Sequence, residues 1–340
     1  PSTTASKTRK MAKNDVIVKI TQKQSAGSTG FGVPLIVAGK ADEEKKYTEY
    51  SSLDEVLEAG FETDSAVYKQ CEKLLMQNDR PSSVAVCVGT GTIIETIRSI
   101  KDQEFRQVIP ILGSGDATLK DVASYIETTD DKMLFVKVAD ASELSAIGKL
   151  DRTMAIVYAG DDEGVEGAVV GATAGLTIGS FTYKNVIIKG ITPDSLTDAE
   201  IEKIHKAGAI TIVKKAGDIV TSEGIVLSGE YADIIDSKDY VIQNIAYKAQ
   251  KLLNSSSKLP FDNVGISQLE SVVTNVLKEA FLMGIIAQDE EGAPLYSTDF
   301  ATRSEVDPGD RAERNYKGGR FSFELAGAIH YATINGVVEI

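Results

Sequence analysis

The sequence is poor in the residues that bind soft metals and move protons at neutral pH. It has no tryptophan, two cysteines and two histidines among 340 residues. A structural zinc site needs about four thiolate or imidazole ligands, and Cys71, Cys87, His205 and His330 are far apart in the sequence. Two cysteines without an export signal indicate reduced thiols. We therefore expect no metal site and little histidine-dependent catalysis.

The sequence also lacks long apolar runs. None approaches the roughly 20 residues that cross a bilayer, and the N-terminus lacks the layout of a secretory signal. The sequence therefore predicts no direct membrane insertion and no signal peptide. A composition of 42% hydrophobic and 25% charged residues is ordinary for a globular chain with a sizeable core. The length fits one elaborated domain or two.

Basic residues are outnumbered by acidic residues outside the N-terminal stretch. The formal net charge is -14 and the isoelectric point about 4.8, which argues against wrapping nucleic acid because that requires a basic face. Residues 1–23 are the exception, with six lysines and arginines against the single acid Asp15. Such asymmetry indicates either a tail with a partner or a solvated arm, and the sequence leaves both open.

The middle of the chain alternates between strand and helix patterns. This alternation predicts an α/β unit with a largely parallel sheet. The predicted strands are Val33–Ala38, Val84–Val88, Val108–Leu112, Met133–Val138, Met154–Tyr158, 186–188 and 211–213. The predicted helices are a short one from Ser51, then 64–76, Leu119–Glu127, 141–149, one capped by Thr197 and Glu200, 240–253 and 266–286. The small-residue stretch 160–179 could be a tightly packed helix or a connector.

Both ends of the chain have strand patterns next to glycines. Val16, Val18 and Ile20 alternate on one face, with Gly27 and Gly30 after them. At the C-terminal end, apolar and polar residues alternate again after Gly318 and Gly319. It places Phe321, Phe323 and Leu325 on one face, and Ile329 and Tyr331 follow the same spacing. An extended apolar end favours pairing with a sheet edge, either its own or a neighbour's.

Signals for catalysis are incomplete. The strand Val84–Val88 runs into a Gly89–Gly91 turn, but a dinucleotide fingerprint would need a third glycine where Ile94 stands, and the nearest acid is Asp116. The acids of residues 161–163 do not match a calcium loop, so a solvated turn explains them better. No serine, cysteine or lysine has a recognisable base partner. An α/β enzyme that binds a phosphate-bearing cofactor at Gly89–Gly91 is kept as an alternative.

Several longer stretches resemble the contractile tail sheath proteins of phages and phage-tail-like bacteriocins (R-type tailocins). They are residues 190–213, which predict a strand, a capped helix and a strand, then 228–236, 258–266 and 325–338. Residues 28–34 and the helix at 68–76 fit more loosely. The similarity touches most of the chain and includes no catalytic signature, so it implies a protein that is not an enzyme and needs no cofactor.

The resemblance implies an assembly. In such particles, sheath subunits stack as hexameric rings in a helical sleeve around a tail tube, and the extended, metastable sleeve contracts to drive the tube through a target cell envelope. The implied partners are copies of the same chain, the tail tube protein, and the baseplate and tail terminator proteins. The implied location is a phage tail or tailocin particle assembled in the bacterial host cytoplasm. A static tail structural protein, with one lattice only, is a further alternative.

The resemblance also implies a domain layout. We expect a near-minimal α/β (α+β) sheath core at residues 31–300, with a possible smaller lobe at about 85–185. A basic N-terminal arm occupies 1–30, and a C-terminal loop and β-arm occupy 301–340. Arm strands are expected to join the sheets of neighbouring subunits through Val16, Val18, Ile20, Phe321, Phe323, Leu325, Ile329, Tyr331 and Ile334. Hinges are expected at Gly27, Gly30, Gly318 and Gly319.

Contact with the tube is expected through positive side chains. The candidates are Lys278 on the long helix and Arg303, Arg311 and Arg314 in the loop after it. Modest electrostatic contacts would let the tube slip free during contraction. The alternative is ordinary salt bridging at the surface of the subunit, and the sequence does not decide between them.

Overall fold

The computed structural model describes residues 32–129 and 131–331. Several predicted arm positions lie outside the described residues: Val16, Val18, Ile20, Gly27, Gly30 and Ile334. Their roles stay predictions.

Within the described residues, seven strands form the main sheet. They are β1 (Val33–Ala38), β2 (Lys45–Tyr50), β3 (Val84–Val88), β4 (Phe105–Ile111), β5 (Met133–Val138), β6 (Thr153–Val157) and β7 (Ala209–Ile210). Their order is β2-β3-β1-β4-β5-β6-β7, and every adjacent pair is parallel except β2 with β3. The predicted, largely parallel sheet is confirmed. The edge strand β2 was missed because its residues are mostly polar, as suits an edge strand.

The helices surround this sheet and extend beyond it. They are α1 (Leu53–Glu58), α2 (Ala66–Leu75), α3 (Ile93–Ser99), α4 (Leu119–Glu127), α5 (Val165–Thr173), α6 (Asp198–Lys206), α7 (Ala232–Ser255), α8 (Asn263–Leu282) and α9 (Pro308–Ala312). The expected helix at 141–149 is a shorter 3₁₀ turn, Ala141–Ala146. The expected strand at 186–188 forms only an isolated bridge, between Ile187 and Val220.

Alternate strand residues feed two apolar layers, one on each face of the sheet. Ile36 belongs to the layer that contains α2 and α5, whereas Leu35 and Val37 belong to the layer that contains α3 and α4. This alternation follows from the period of two along a strand. A parallel sheet covered on both faces explains why the strands read as continuous apolar runs.

The segment 160–179, left undecided by its composition, contains the buried helix α5. Gly167 and Gly171 let α5 pack closely on α2, because a Cβ at Gly171 would lie 2.2 Å from the carbonyl oxygen of Leu74. The helix is apolar on nearly every side and has eight buried residues. A helix of this kind is stable only inside a core.

The segment 85–185, in which we expected a smaller lobe, contributes strands to the main sheet. A second sheet follows later in the chain, where β10 (Tyr296–Phe300) pairs antiparallel with β11 (Gly319–Phe323). Both strands lie against α8 around a third apolar cluster that includes Val276 and Leu277. A third sheet is the hairpin of β8 (Ile212–Lys215) and β9 (Asp218–Thr221).

A buried charge network holds α7 against the main sheet. Arg106 on β4 donates to Asp236 (3.0 Å from Nε) and to Asp239 (2.7 Å). Arg152 donates two hydrogen bonds to Asp239, at 2.8 and 3.0 Å, and the Tyr183 hydroxyl donates to Asp236 at 2.8 Å. The side chain of Arg106 is only 1% exposed. These five residues are called the charge network below.

Candidate functional site

The β10–β11 sheet places two predicted exchange residues inside a strand pair of their own chain. Phe321 pairs with Thr298 and Phe323 with Tyr296, and the two phenylalanine rings stack with centroids 6.4 Å apart. Among the described residues, no third strand joins this sheet. Its outer edges therefore present backbone groups to which a further strand can add. A single chain does not test exchange, so the exchange role of Phe321 and Phe323 stays a prediction.

The predicted C-terminal hinge glycines lie in or beside this strand pair. The carbonyl of Gly318 accepts a hydrogen bond from Ala301 N at 3.0 Å. A Cβ at Gly319 would come within 2.8 Å of the Phe300 ring. In this chain, both glycines permit close approach between strands. Gly327, by contrast, has a left-handed φ of +64° and open space around it, which makes it the better position for a change of backbone direction.

Beyond β11 the chain lies beside the segment that comes after α8. Leu325 bridges Ile286, and Ala326 N donates to the carbonyl of Ile285 at 2.9 Å. Leu325 packs, half-buried, on the third apolar cluster. The prediction that Leu325 belongs to a neighbour-seeking strand stays open, but in this chain the residue is attached to its own core.

The chain then returns to the core at His330. The His330 Nδ1 lies 3.1 Å from Glu223 Oε1, and Nε2 lies 3.0 Å from Thr182 Oγ1. The imidazole meets the Tyr231 ring edge-on, with centroids 4.7 Å apart, and its side chain is 8% exposed. Sequence reasoning placed His330 in a strand pattern and gave it no contact, because its partners are more than a hundred residues away.

Tyr331 contacts the same carboxylate as His330. Its hydroxyl donates to Glu223 Oε2 at 2.6 Å, and the Lys184 ammonium lies 3.4 Å from the ring centroid. Ile329, predicted to act with Tyr331 in a strand, is 90% exposed. Residues 326–331 do not form a strand in this chain. Membership of Ile329 and Tyr331 in an intersubunit strand remains a prediction.

Lys184 and Glu223 form a buried ion pair under this segment. Their charged atoms are 2.8 Å apart, and the side chains are 4% and 5% exposed. Burial by itself raises the pKa of Glu223, but hydrogen bonds from Lys184 and Tyr331 outweigh it, so the pKa lies below its ordinary value. Burial lowers the pKa of Lys184, yet the Glu223 partner brings it above the usual range. Both groups are thus held in their charged forms.

The four tube-contact candidates fall into two groups. Arg303 donates to the carbonyl of Phe261 at 3.0 Å, and Arg311 donates to the carbonyls of Arg303 (2.7 Å) and Val306 (2.9 Å). These two arginines therefore hold the loop around α9 together.

Lys278 and Arg314 form the other group, and both are exposed. In the part of the chain that the structure describes, no salt bridge or side-chain hydrogen bond engages either cation. They are better placed than Arg303 and Arg311 to meet another molecule.

Carboxylates of the chain itself bind the backbone amides that follow the Gly89–Gly91 turn. Asp116 accepts a hydrogen bond from Ile93 N at 2.9 Å, and Glu95 accepts one from Thr92 N at 2.7 Å in a capping box. Two amide donors at the start of α3, just after this turn, are thus already engaged and are not available to a phosphate. A Cβ at Gly89 would collide with Thr96 Oγ1, which explains the first glycine by packing.

The remaining chemical candidates have structural explanations. Asp162 accepts hydrogen bonds from Tyr158 (3.0 Å) and from Thr192 N (2.7 Å). Cys71 and Cys87 are buried, and burial raises the pKa of Cys71 to about 12. Within residues 32–129 and 131–331, no cluster of histidine, cysteine and acidic side chains could hold a metal ion. No helix in those ranges combines the length and apolarity needed to cross a membrane.

The fold is similar to solved sheath structures. The sheath complex of the PVC extracellular contractile injection system, in its contracted state, matches with a TM-score of 0.71 and 11% identity over 92% of this chain and 93% of that chain. The contracted helical sheath of the anti-feeding prophage matches with a TM-score of 0.70 and 12% identity, over 91% and 94%. A sheath tail protein from Listeria innocua matches with a TM-score of 0.59 and 10% identity, over 87% and 96%.

The comparisons with family models and with curated proteins give no match, in contrast to the comparison with solved structures. No protein-family model matches the chain, and no curated protein matches it. The structural matches nevertheless extend over about nine-tenths of this chain and of the sheath chains. The chain therefore has the α/β fold of the tail sheath proteins of contractile injection systems and phage-like particles.

Proposed function

We propose that this chain is the repeating subunit of a contractile tail sheath. The observation that carries the proposal is the match to sheath chains over nearly their whole length, including chains in the contracted state. In the proposed assembly, copies of the chain form hexameric rings stacked in a helical sleeve around a tail tube. The baseplate and terminator proteins meet the two ends of the sleeve. The role is mechanical, and the particle is a phage tail or a headless bacteriocin.

Neighbouring subunits are proposed to connect through strand addition at the β10–β11 sheet. Its open edges offer backbone donors and acceptors, and strand addition gives many hydrogen bonds without fixing the orientation of the cores. The residues that would add are those of the N-terminal strand around Val18 and of the C-terminal segment around Ile334. Gly327 replaces Gly318 and Gly319 as our proposed C-terminal hinge, because it has a left-handed backbone and space.

Contraction is proposed to be a rearrangement of rigid cores joined by these arms. A parallel sheet covered on both faces and a buried charge network keep the core as one body. The free energy for contraction is then the difference between the extended and contracted lattices, with no nucleotide consumed. A static tail protein would form one lattice only, so the state change separates the two.

The test is electron microscopy of the chain co-expressed with its tube protein. We expect a long, narrow sleeve that becomes short and wide after mild denaturant, leaving bare tube. A single lattice under all conditions would favour the static alternative. Small discrete oligomers together with thermal stabilisation by nucleotides would favour the enzyme alternative.

A truncation tests the role of the C-terminal arm. Deleting residues 332–340 removes chain beyond the last described contact, so the melting temperature should change by less than about 2 °C. Sleeve formation should be abolished because strand addition is lost. The matched control is Ile242→Ala in the full chain, which removes an exposed side chain on α7 and keeps the arm unchanged. Sleeves of normal length from the truncated chain would overturn the arm-exchange proposal.

A further inference from the structure

We infer that the core carries a docking site for the chain's own His330 and Tyr331, and that this site sets how much of the C-terminal arm is free. The site consists of Thr182, Lys184, Glu223 and Tyr231, and it is called the clip below. The inference concerns the chain before assembly. It rests on the proposed function, in which the C-terminal arm joins a neighbouring subunit, and it adds that the clip controls the length of arm available for this.

The contacts at the clip are specific to two consecutive residues. Both His330 ring nitrogens have a partner, Glu223 at 3.1 Å and Thr182 at 3.0 Å. The Tyr331 hydroxyl donates to the other oxygen of Glu223 at 2.6 Å. The preceding residue, Ile329, is 90% exposed. An apolar collapse of the arm would have buried the isoleucine, so polar recognition positions this segment.

The receiving side of the clip is built by the core. The Lys184–Glu223 pair is almost fully buried, and Gly224 N donates to Glu223 Oε1 at 3.2 Å. Glu223 therefore receives donors from the core at both oxygens before the arm is counted. His330 and Tyr331 add one further contact to each oxygen of Glu223. The Tyr331 ring covers Lys184 with a cation–π contact.

The clip is joined to the charge network by three consecutive residues. Thr182 contacts His330, Tyr183 donates to Asp236 on α7, and Lys184 pairs with Glu223. A pull on Tyr331 would thus act on a segment held by α7 and, through Arg106, by the main sheet. The arm is attached to the rigid body of the core.

The consequence is an arm with two lengths. With the clip closed, the chain beyond Tyr331 starts from a fixed point on its own core. With the clip open, the last attachment is at Ala326, where the backbone bonds to Ile285. The five residues released in between, 327–331, lengthen the free arm by about 17 Å, since an extended residue advances about 3.3 Å. The longer arm could then stay attached to a neighbouring subunit that moves away when the lattice changes.

A spin label on the arm tests the clip in the full-length chain. Ile329→Cys places a thiol at an exposed position, whereas Cys71 and Cys87 are 0% and 4% exposed and so stay unlabelled. We expect a mostly immobilised label in the otherwise unchanged chain. In the His330→Ala and Tyr331→Phe backgrounds, the mobile fraction should rise several-fold. Glu324→Gln, at an exposed carboxylate of the same arm, is the matched control and should leave the label immobilised.

Several outcomes would overturn the inference. They are a freely mobile label in the otherwise unchanged chain, equal mobility in all backgrounds, and immobilisation that disappears on dilution, which would show docking onto a second copy. Tyr331→Phe removes one oxygen atom, so misfolding does not confuse the result. The measurement uses dispersed chains, so its failure is separate from a failure to form sleeves in the microscope.

Discussion

At the scale of single residues, Arg106 is a buried cation whose charge is balanced by partners from another part of the chain. It lies on β4 with 1% of its side chain exposed, and its charge is balanced by Asp236 and Asp239 of α7. A buried charge is tolerated when it is paired and hydrogen-bonded, and removing one partner leaves the others uncompensated. Arg106 therefore connects two parts of the chain that are far apart in sequence.

Arg106→Met should destabilise the chain strongly. The substitution leaves Asp236 with only the Tyr183 hydroxyl and Asp239 with only Arg152 as described side-chain partners. The expected loss in the free energy of unfolding is about 3 to 5 kcal/mol, measured by urea denaturation. Arg98→Met, at an exposed position on α3, serves as the control and should cost less than about 1 kcal/mol. A loss of similar size for both variants would show that the network is not stabilising.

Glu223 predicts an acid-sensitive contribution to stability. Its pKa in the folded chain lies below the ordinary value of 4.5, because Lys184 and Tyr331 hydrogen-bond the carboxylate strongly enough to outweigh burial. A depressed carboxyl pKa stabilises the fold above the ordinary value, and that stability is lost as pH falls through the folded pKa. Glu223→Gln should therefore show a flatter decline of unfolding free energy below about pH 5. Parallel curves for both proteins would contradict the assignment.

At the scale of elements, the contact between α2 and α5 shows how composition and packing interact. Helix α5 is rich in glycine and alanine, and a glycine in a helix normally costs up to about 1 kcal/mol relative to alanine. The chain accepts this cost because α2 passes so near that a Cβ at Gly171 would meet the Leu74 carbonyl. The close approach brings α5 into the middle of the larger apolar layer.

Gly171→Ala should destabilise the chain although it improves helix propensity. The added methyl forces α5 and α2 apart, and overpacking of this kind costs about 1 to 3 kcal/mol. Thermal or urea unfolding would measure the loss. At Gly113, a Cβ would meet no atom within 4 Å and the backbone is not left-handed, so Gly113→Ala should be near neutral. A stabilised Gly171→Ala variant would contradict the packing argument.

At the scale of the whole molecule, the packed core differs from the β10–β11 sheet and from the C-terminal segment in how each is held. The main sheet and its helices are covered on both sides, whereas the β10–β11 sheet has open edges and the C-terminal segment is attached by polar contacts. In the proposed sheath, the open edges and the polar contacts would keep neighbouring subunits connected while the cores change orientation. Exposed cations such as Lys278 and Arg314 would give the proposed tube only weak electrostatic contacts, which suits a tube that slides past.

Lys278 and Arg314 are the residues we expect to contribute to tube contact. Replacing both with alanine should weaken co-sedimentation with the tube protein several-fold at low salt and leave the unfolding free energy within about 0.5 kcal/mol. The difference should shrink as salt is raised, since exposed charges are screened. Lys101→Ala with Lys214→Ala is a control of equal charge at other exposed positions. Equal weakening by the control would indicate a general charge effect.

Elements whose signals are local could be predicted from the sequence. The apolar runs of β3 and β5 and the helix at α4 have the predicted bounds, and the Thr197–Glu200 capping box is present, with Glu200 accepting from Thr197 N at 2.8 Å. Propensity, periodicity and capping act over a few residues, so they can be read without the fold. The same kind of pattern located the amphipathic helix α8 to within a few residues.

Features that depend on partners far away in the sequence could not be predicted before the fold was known. Whether residues 160–179 include a buried helix depended on the approach of α2. The structure places Gly318 beside Ala301, and the role of Gly318 as a hinge stays a prediction. The Arg106–Asp236 contact spans 130 residues and the His330–Glu223 contact 107. Each of these side chains looks like an ordinary surface group in sequence, because the free energy of a buried charge is set by the partner that the fold supplies.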